Sequence, residues 1–145
     1  MQTEMKESDA LNFNRAKILI VDDDPELRMA LKLRLRANHY ETVSAGDGYS
    51  AIALAQKERP NLIILDLGLP VGNGFNVLKR LQENDALSHI PVIVLTARDP
   101  QSNELRSLDS GATAFLQKPA DNNELLQVIR ASLRSASAWG AAPPS

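Results

Sequence analysis

The chain has 145 residues, no cysteine, two histidines and a formal net charge of −2. This length suffices for one domain with its own core, and the composition excludes disulfides, thiolate metal sites and cysteine nucleophiles. The charge excludes a broad cationic surface, no apolar run could cross a membrane, and the polar N-terminus lacks a signal peptide, so we expect a cytoplasmic protein without direct nucleic-acid or membrane binding.

Short aliphatic runs alternate with helical patterns along the whole chain, which is typical of strand–helix–strand units and a parallel sheet. The strand at 41–45 is the least apolar and is expected at an edge of the sheet. In chain order the predicted elements are a strand at 17–21, a helix at 25–38, a strand at 41–45, a helix at 50–57, a strand at 61–65, a helix at 75–84, a strand at 91–95, a helix within 101–110, a strand at 114–117 and a helix from Asp121 to about Arg134.

Capping residues set the ends of several predicted helices. Asp24 is expected to cap the first helix, with Pro25 at the first helical position, where a missing N–H costs nothing. Gly111 is expected to close the fourth helix in a left-handed conformation. Asp121 and Glu124 resemble a capping box at the start of the last helix.

Five strand–helix repeats predict an α/β fold with an open, doubly wound, five-stranded parallel sheet, a (βα)5 arrangement. Ligands of such sheets bind beyond the carboxyl ends of the strands, where the strand order reverses. We divide the chain into an N-terminal extension at 1–15, the domain at 16–134 and a tail or start of a linker at 135–145, because this last stretch is rich in small residues and proline.

Side chains with a carboxylate, a hydroxyl or an ammonium group follow the ends of four predicted strands. Asp22 and Asp23 follow the first strand, Asp66 the third, Thr96 the fourth and Lys118 the fifth. Each residue alone would be explained as a cap, a turn or a surface residue, but their coincidence at one edge of the sheet favours a site. Carboxylates without histidine or cysteine suit Mg²⁺ or Mn²⁺ rather than zinc. A divalent ion, an ammonium and a hydroxyl around a carboxylate suit phosphoryl transfer.

Four motifs in this order resemble the response-regulator receiver domain of two-component signalling. They are VDD at 21–23, LDLGLP at 65–70, VLTA at 94–97 and FLQKP at 115–119. The resemblance covers about residues 16–134 and implies a flavodoxin-like receiver fold.

The resemblance also implies a role for each matching residue. Asp66 would accept the phosphoryl group, and Thr96 and Lys118 would bind its oxygens. Phe115 would be the switch aromatic that moves with Thr96, and Lys118-Pro119 would contain a cis peptide bond. The ligands of Mg²⁺ or Mn²⁺ would be Asp23 directly, Asp22 through water, Asp66 and the main-chain carbonyl of Gly68.

The function implied by the resemblance is a phosphoryl-accepting switch, not an enzyme that turns over a separate substrate. The phosphoryl group would come from the phosphohistidine of a sensor histidine kinase or a histidine phosphotransfer protein. Phosphorylation would reshape the face formed by the fourth helix, the fifth strand and the fifth helix. The same face would be the surface for a homodimer. No output segment is recognisable after Arg134, so we expect a stand-alone receiver or part of a larger regulator.

Two alternative functions stay open at this point. A haloacid-dehalogenase-like phosphatase would use Asp22 as its nucleophile, with Asp24, Thr96 and Lys118 around it. The closing acidic motif of such enzymes is missing after Lys118, and the chain has little room for a cap domain. A pseudo-receiver would keep the fold as a binding module without being phosphorylated.

Overall fold

The computed structural model describes residues 15–69 and 74–141, so most of the predicted N-terminal extension, the loop at 70–73 and the last residues of the predicted tail lie outside the described residues. One five-stranded sheet is covered by helices on both faces. In chain order the elements are β1 (Lys17–Val21), α1 (Pro25–Ala37), β2 (Glu41–Ala45), α2 (Gly48–Glu58), β3 (Leu62–Leu65), α3 (Gly74–Glu83), β4 (Val92–Thr96), α4 (Pro100–Asp109), β5 (Ala114–Gln117) and α5 (Asn122–Ala141).

All strand pairs are parallel, and the strands lie in the order β2-β1-β3-β4-β5. The predicted doubly wound α/β fold is therefore confirmed, with β2 at an edge as expected. The order reverses beside β1, so the carboxyl ends of β1 and β3 are neighbours and Val21 lies opposite Leu65. The residues that follow these ends, Asp22 and Asp66, consequently leave the sheet side by side.

The core lies on both faces of the sheet, because successive side chains of a strand point to opposite faces. Leu19 and Val21 belong to a cluster with residues of α2 and α3, whereas Ile18 and Ile20 belong to a cluster with residues of α1 and α5. Burial on both faces explains why residues 18–21 of β1 are all aliphatic. This double packing fixes the position of the strand ends that carry the polar residues.

Carboxylate caps define the starts of α1 and α2. Asp24 Oδ1 accepts hydrogen bonds from the backbone N–H groups of Glu26 at 3.0 Å and Leu27 at 3.4 Å, as predicted for the cap of α1. Asp47 Oδ1 accepts from the N–H of Ser50 at 2.8 Å and caps α2 in the same way. α2 therefore begins at Gly48, two residues before the predicted start at 50, because Asp47 supplies a helix cap.

The last helix is longer than predicted. α5 continues to Ala141, so the predicted end near Arg134 was wrong. Residues 135–141 contain three alanines and no proline, and alanine has the highest helix propensity of all residues. Although α5 has 20 residues, neither it nor any other helix within residues 15–69 and 74–141 combines the length and apolar character needed to cross a bilayer.

Helix α4 differs from the other helices in what it buries. Its buried positions are polar: Asn103 Nδ2 donates to the carbonyl of Asp99 at 2.8 Å, and Ser107 Oγ donates to the carbonyl of Asn103 at 2.6 Å. Leu105 and Leu108 face outward and are 69% and 39% exposed. The other helices bury aliphatic or aromatic side chains, so α4 is attached to the sheet with less apolar burial than its neighbours.

Candidate functional site

Three carboxylates meet at the carboxyl ends of β1 and β3. Asp22 and Asp23 follow β1 and Asp66 follows β3, and each offers an oxygen that lies within 4.8 Å of the other two. The backbone ladder continues into this region, because Asp22 N–H donates to the carbonyl of Ala45 and Asp66 N–H to that of Val21. Asp22 and Asp66 are buried, whereas Asp23 is exposed. We call these three residues the acidic cluster.

Lys118 reaches the acidic cluster from the end of β5. Its Nζ donates to Asp22 Oδ2 at 2.7 Å and to Asp66 Oδ2 at 3.2 Å. Its backbone N–H donates to the carbonyl of Thr96 at 2.8 Å, and the bond from Lys118 to Pro119 is cis, as the resemblance implies. One ammonium faces three carboxylates, so the ionised cluster retains a surplus of negative charge.

The pKa values of Asp22 and Lys118, which form the shorter ion pair of the site, follow from their burial and contacts. Burial raises the pKa of Asp22 above its ordinary value, and this effect outweighs the hydrogen bonds from Lys118 and from the Asp24 N–H. Burial lowers the pKa of Lys118, but the hydrogen bond to Asp22 and the charge of Asp66 outweigh it, so that pKa is raised. Asp22 is the more deeply buried partner, which is why burial wins for Asp22 and not for Lys118.

The donor set of the acidic cluster fits a divalent cation. The cluster offers carboxylate oxygens only, which are the ligands that Mg²⁺ and other hard divalent cations prefer. The surplus negative charge and the cost of ionising buried Asp22 would both be offset by a second cation. The composition of the cluster therefore suits a hard divalent cation.

Asp66 is oriented by a donor at each of its carboxylate oxygens. The backbone N–H of Gly68 donates to Asp66 Oδ1 at 3.0 Å, while Lys118 Nζ binds Oδ2. The resemblance implies a metal-ligand role for the carbonyl of Gly68, and its N–H makes this separate contact with Asp66. The turn after β3 thus holds the carboxylate of Asp66 in one orientation.

Thr96 and Phe115 lie on the two strands next to β3. Leu65 pairs with Val94, so Thr96, two residues further along β4, stands beside the residues that follow β3. Thr96 is fully buried, and its Oγ1 accepts a hydrogen bond from the N–H of Arg98 at 3.3 Å. Phe115 pairs with Val94 from β5 and is half-buried against the core cluster shared with α2 and α3.

Two residues at this site were missed by sequence reasoning. Arg28 Nη1 donates to the main-chain carbonyl of Asp22 at 2.6 Å, although in the sequence it is one of several basic residues of the first helix. A Cβ at Gly74 would lie 2.5 Å from the carbonyl oxygen of Asp66 and from Cα of Leu67, so the first residue of α3 packs directly on that backbone. The position of Arg28 one turn after the Asp24 cap is the sequence signal that could have indicated the first contact.

The raised pKa of Asp22 predicts a pH-dependent effect of Asp22→Asn in the metal-free protein. The carboxyl of Asp22 binds its proton more tightly in the folded than in the unfolded protein, where the pKa is near the ordinary value of 3.8. The protonated carboxyl therefore contributes its full stabilisation below pH 3.8. This contribution is lost as the pH rises through the raised pKa of the folded state. We expect the variant to gain stability relative to wild type as the pH rises from about 3.8 through the raised folded-state pKa of Asp22. Urea unfolding at several pH values in EDTA measures this, and a difference that is constant with pH would contradict it.

The comparisons with known sequences agree with these features. A family model described as the response regulator receiver domain matches residues 18–130. Response regulator PleD of Caulobacter vibrioides is 38% identical over 119 residues, which are 82% of this chain and 26% of PleD. The DNA-binding dual master transcriptional regulator RpaA of Synechocystis is 41% identical over 118 residues, which are 81% of this chain and 49% of RpaA. The chain thus spans less than half of the length of these two relatives.

Solved receiver domains have the same fold. The CheY-like response regulator receiver domain protein from Methanospirillum hungatei superposes with a TM-score of 0.80 at 28% identity, covering 86% of this chain and 98% of that one. The receiver domain of Francisella response regulator 1452 gives 0.78 at 29% identity, with 83% and 98% coverage. Both likenesses extend over almost the entire receiver structure with which the chain is compared.

Proposed function

Since this chain belongs to the response regulator receiver domain family of two-component systems, we propose that it is a switch in which Asp66 accepts a phosphoryl group. One observation carries the proposal: a single ammonium, Lys118 Nζ, binds the carboxylates of both Asp22 and Asp66 inside a cluster of three acids. Phosphoryl transfer to Asp66 requires a positive charge beside the reacting carboxylate, which Lys118 supplies, and carboxylates that bind a divalent cation, which Asp22 and Asp23 supply.

The hydrogen bonds favour Asp66 over Asp22 as the nucleophile. Both oxygens of Asp22 are tightly held, Oδ1 by the N–H of Asp24 at 2.9 Å and Oδ2 by Lys118 at 2.7 Å. The corresponding bond from Lys118 to Asp66 Oδ2 is longer, at 3.2 Å, which leaves this oxygen the more available of the two for attack. The same difference weighs against a phosphatase that uses Asp22.

In the proposed reaction, Asp66 Oδ2 attacks the phosphorus of a phosphohistidine. The new P–O bond forms as the P–N bond breaks, and the leaving imidazole takes a proton from solvent. Lys118 stabilises the negative charge that the phosphoryl oxygens carry, and the Thr96 hydroxyl donates a hydrogen bond to one of them. When bound by Asp22, Asp23, Asp66 and the carbonyl of Gly68, Mg²⁺ or Mn²⁺ would neutralise further charge on these oxygens.

The proposed switch begins at Thr96. Its Oγ1 accepts a hydrogen bond from the Arg98 N–H, and on phosphorylation the hydroxyl would turn to donate to a phosphoryl oxygen. Phe115 is half-buried on the adjacent strand and would follow Thr96 inward. A local change of charge would thus bias a two-state element that reaches α4, β5 and α5.

The proposed partners follow from this chemistry. Response regulators pair with histidine kinases, and we assign the phosphodonor to a sensor histidine kinase or a histidine phosphotransfer protein. The face of α4, β5 and α5 is the proposed surface for a homodimer. α4 also carries the exposed side chains of Leu105 and Leu108, and exposed apolar area of this kind is typical of contact surfaces.

Incubation with acetyl phosphate and Mg²⁺ tests the proposal directly. Intact-mass spectrometry is expected to show one added phosphoryl group on the wild-type protein and none on Asp66→Asn, with peptide mapping of the adduct to Asp66. An adduct on Asp22 would instead favour the phosphatase reading. Absence of any adduct in a protein that keeps its fold would favour the pseudo-receiver reading.

A further inference from the structure

Arg28 contacts the backbone that carries the acidic cluster. We propose that Arg28, seated against Gly46, is a positioning residue that fixes the peptide unit between Asp22 and Asp23 and thereby presents Asp23 to a divalent cation. This inference rests on the proposed function, because it concerns how the proposed cation site is built.

Arg28 is held close to the end of β1 by its place in α1. Its backbone N–H donates to the carbonyl of Asp24 at 3.0 Å, so it lies in the first turn of the helix that Asp24 caps. From there its Nη1 donates to the carbonyl of Asp22 at 2.6 Å, and the side chain is half-buried. A hydrogen bond from a charged donor is short and strong compared with a neutral one.

Gly46 leaves the space that the guanidinium occupies. A Cβ at this position would lie 3.0 Å from Nη1 of Arg28 and 3.6 Å from its Cζ. Among the described glycines only Gly111 has a positive φ, so the backbone of Gly46 places no conformational demand for glycine. The absence of a side chain at Gly46 is therefore explained by the approach of Arg28.

The bonded carbonyl belongs to the peptide unit that joins Asp22 to Asp23. All other polar atoms of Asp22 are also engaged: its N–H with the carbonyl of Ala45, Oδ1 with the Asp24 N–H and Oδ2 with Lys118. Asp23 is exposed, and within the described part of the chain its carboxylate has no hydrogen-bond or ion-pair partner. The direction in which Asp23 projects is consequently set by its backbone, which Arg28 holds.

The charge of Arg28 and its positioning role predict opposite effects on cation binding. A guanidinium near the acidic cluster repels a divalent cation, so loss of its charge alone would tighten Mg²⁺ binding. Loss of the hydrogen bond that orients Asp23 would weaken it, since residues that orient metal ligands contribute about 10- to 100-fold to metal affinity. The sign of the change therefore separates the two roles.

The test compares Mg²⁺ affinity, measured by NMR titration of backbone amides, in wild type, Arg28→Met, Gly46→Ala and the double variant. We expect Arg28→Met to weaken Mg²⁺ binding about tenfold. Gly46→Ala is expected to weaken it in the same direction, and the double variant to be no weaker than Arg28→Met, because both changes break one contact. Arg36→Met, at an exposed arginine of the same helix, is the matched control and should bind Mg²⁺ as wild type does.

A metal-free readout keeps the inference testable by itself. In EDTA, Arg28→Met is expected to shift the ¹³C resonance of the Asp22 carbonyl and to increase the backbone mobility of Asp23. Unchanged or tighter Mg²⁺ binding in Arg28→Met, or unchanged Asp22 and Asp23 signals, would overturn the positioning role. If wild type itself does not bind Mg²⁺, the proposed cation site fails, and the metal-free signals still decide whether Arg28 positions Asp23. If Arg28→Met does not fold, Gly46→Ala supplies the same readouts.

Discussion

Replacing Lys118 with methionine is expected to slow the phosphorylation of Asp66 by acetyl phosphate about a hundredfold, the usual effect of removing one charge-stabilising donor from a reaction centre. The ammonium binds Asp66 Oδ2 at 3.2 Å and Asp22 Oδ2 at 2.7 Å, so it stands where the phosphoryl oxygens would gain charge. Methionine keeps most of the length and volume of the side chain without that charge. The rate is measured by quenching the reaction at intervals and determining the phosphorylated fraction by intact mass.

The same variant should bind Mg²⁺ more tightly than wild type. Lys118 competes with a cation for the oxygens of Asp22 and Asp66, and its loss leaves three carboxylates without their ammonium. Tighter Mg²⁺ binding with slower phosphorylation would separate the chemical role of Lys118 from cation binding. Lys57→Met, at an exposed lysine of α2, is the control that should react as wild type does. A wild-type rate for Lys118→Met would contradict the role assigned to the ammonium.

Replacing Gly74 with alanine is expected to lower the free energy of unfolding by about 3 kcal/mol, as overpacking against an immobile neighbour does. The new Cβ would lie 2.5 Å from the carbonyl oxygen of Asp66 and 2.5 Å from Cα of Leu67. Both atoms belong to the backbone that follows β3, so no side-chain rotation relieves the contact. Urea unfolding of the metal-free protein measures the loss.

Gly68→Ala is the matched control for Gly74→Ala, because it adds the same methyl group on the other side of Leu67. Its Cβ would meet the carboxylate oxygens of Asp66 at 3.6 Å, which is an ordinary contact distance. We expect a change in unfolding free energy of about 0.5 kcal/mol or less, typical of a substitution that meets no close contact. A Gly74→Ala protein as stable as Gly68→Ala would show that α3 does not press on the Asp66 backbone.

Much of the fold and of the acidic cluster could be predicted because both depend on patterns that extend over many residues. A run such as 18–21, which is aliphatic throughout, is typical of a strand that is covered on both faces, and such strands occur in parallel sheets. In a parallel sheet with helical crossovers, the carboxyl ends of all strands share one edge. The meeting of Asp22, Asp23 and Asp66 follows from that geometry and not from any single residue.

Two of the features that sequence reasoning missed depend on one contact each. Asp47 could have been part of a turn or a cap, and only its bond to the Ser50 N–H shows that α2 begins at Gly48. Arg28 looks like any basic residue of an amphipathic helix until its guanidinium is seen on the Asp22 carbonyl. The end of α5 was misplaced for a different reason: residues 135–141 combine alanines, which favour a helix, with serines and a glycine, which do not, so their composition does not distinguish a helix from a linker.

The polar inner side of α4 has a consequence for the resting domain. The hydrogen bonds of Asn103 and Ser107 are made to carbonyls at or within the start of α4, so they travel with the helix if it slides as a rigid body. Leu105 and Leu108 already face water, and such a displacement would strip little aliphatic surface from the core. Two alternative positions of α4 on the sheet would therefore differ little in free energy. A coupling free energy of about 1–3 kcal/mol from a distant site would be enough to change which position α4 occupies.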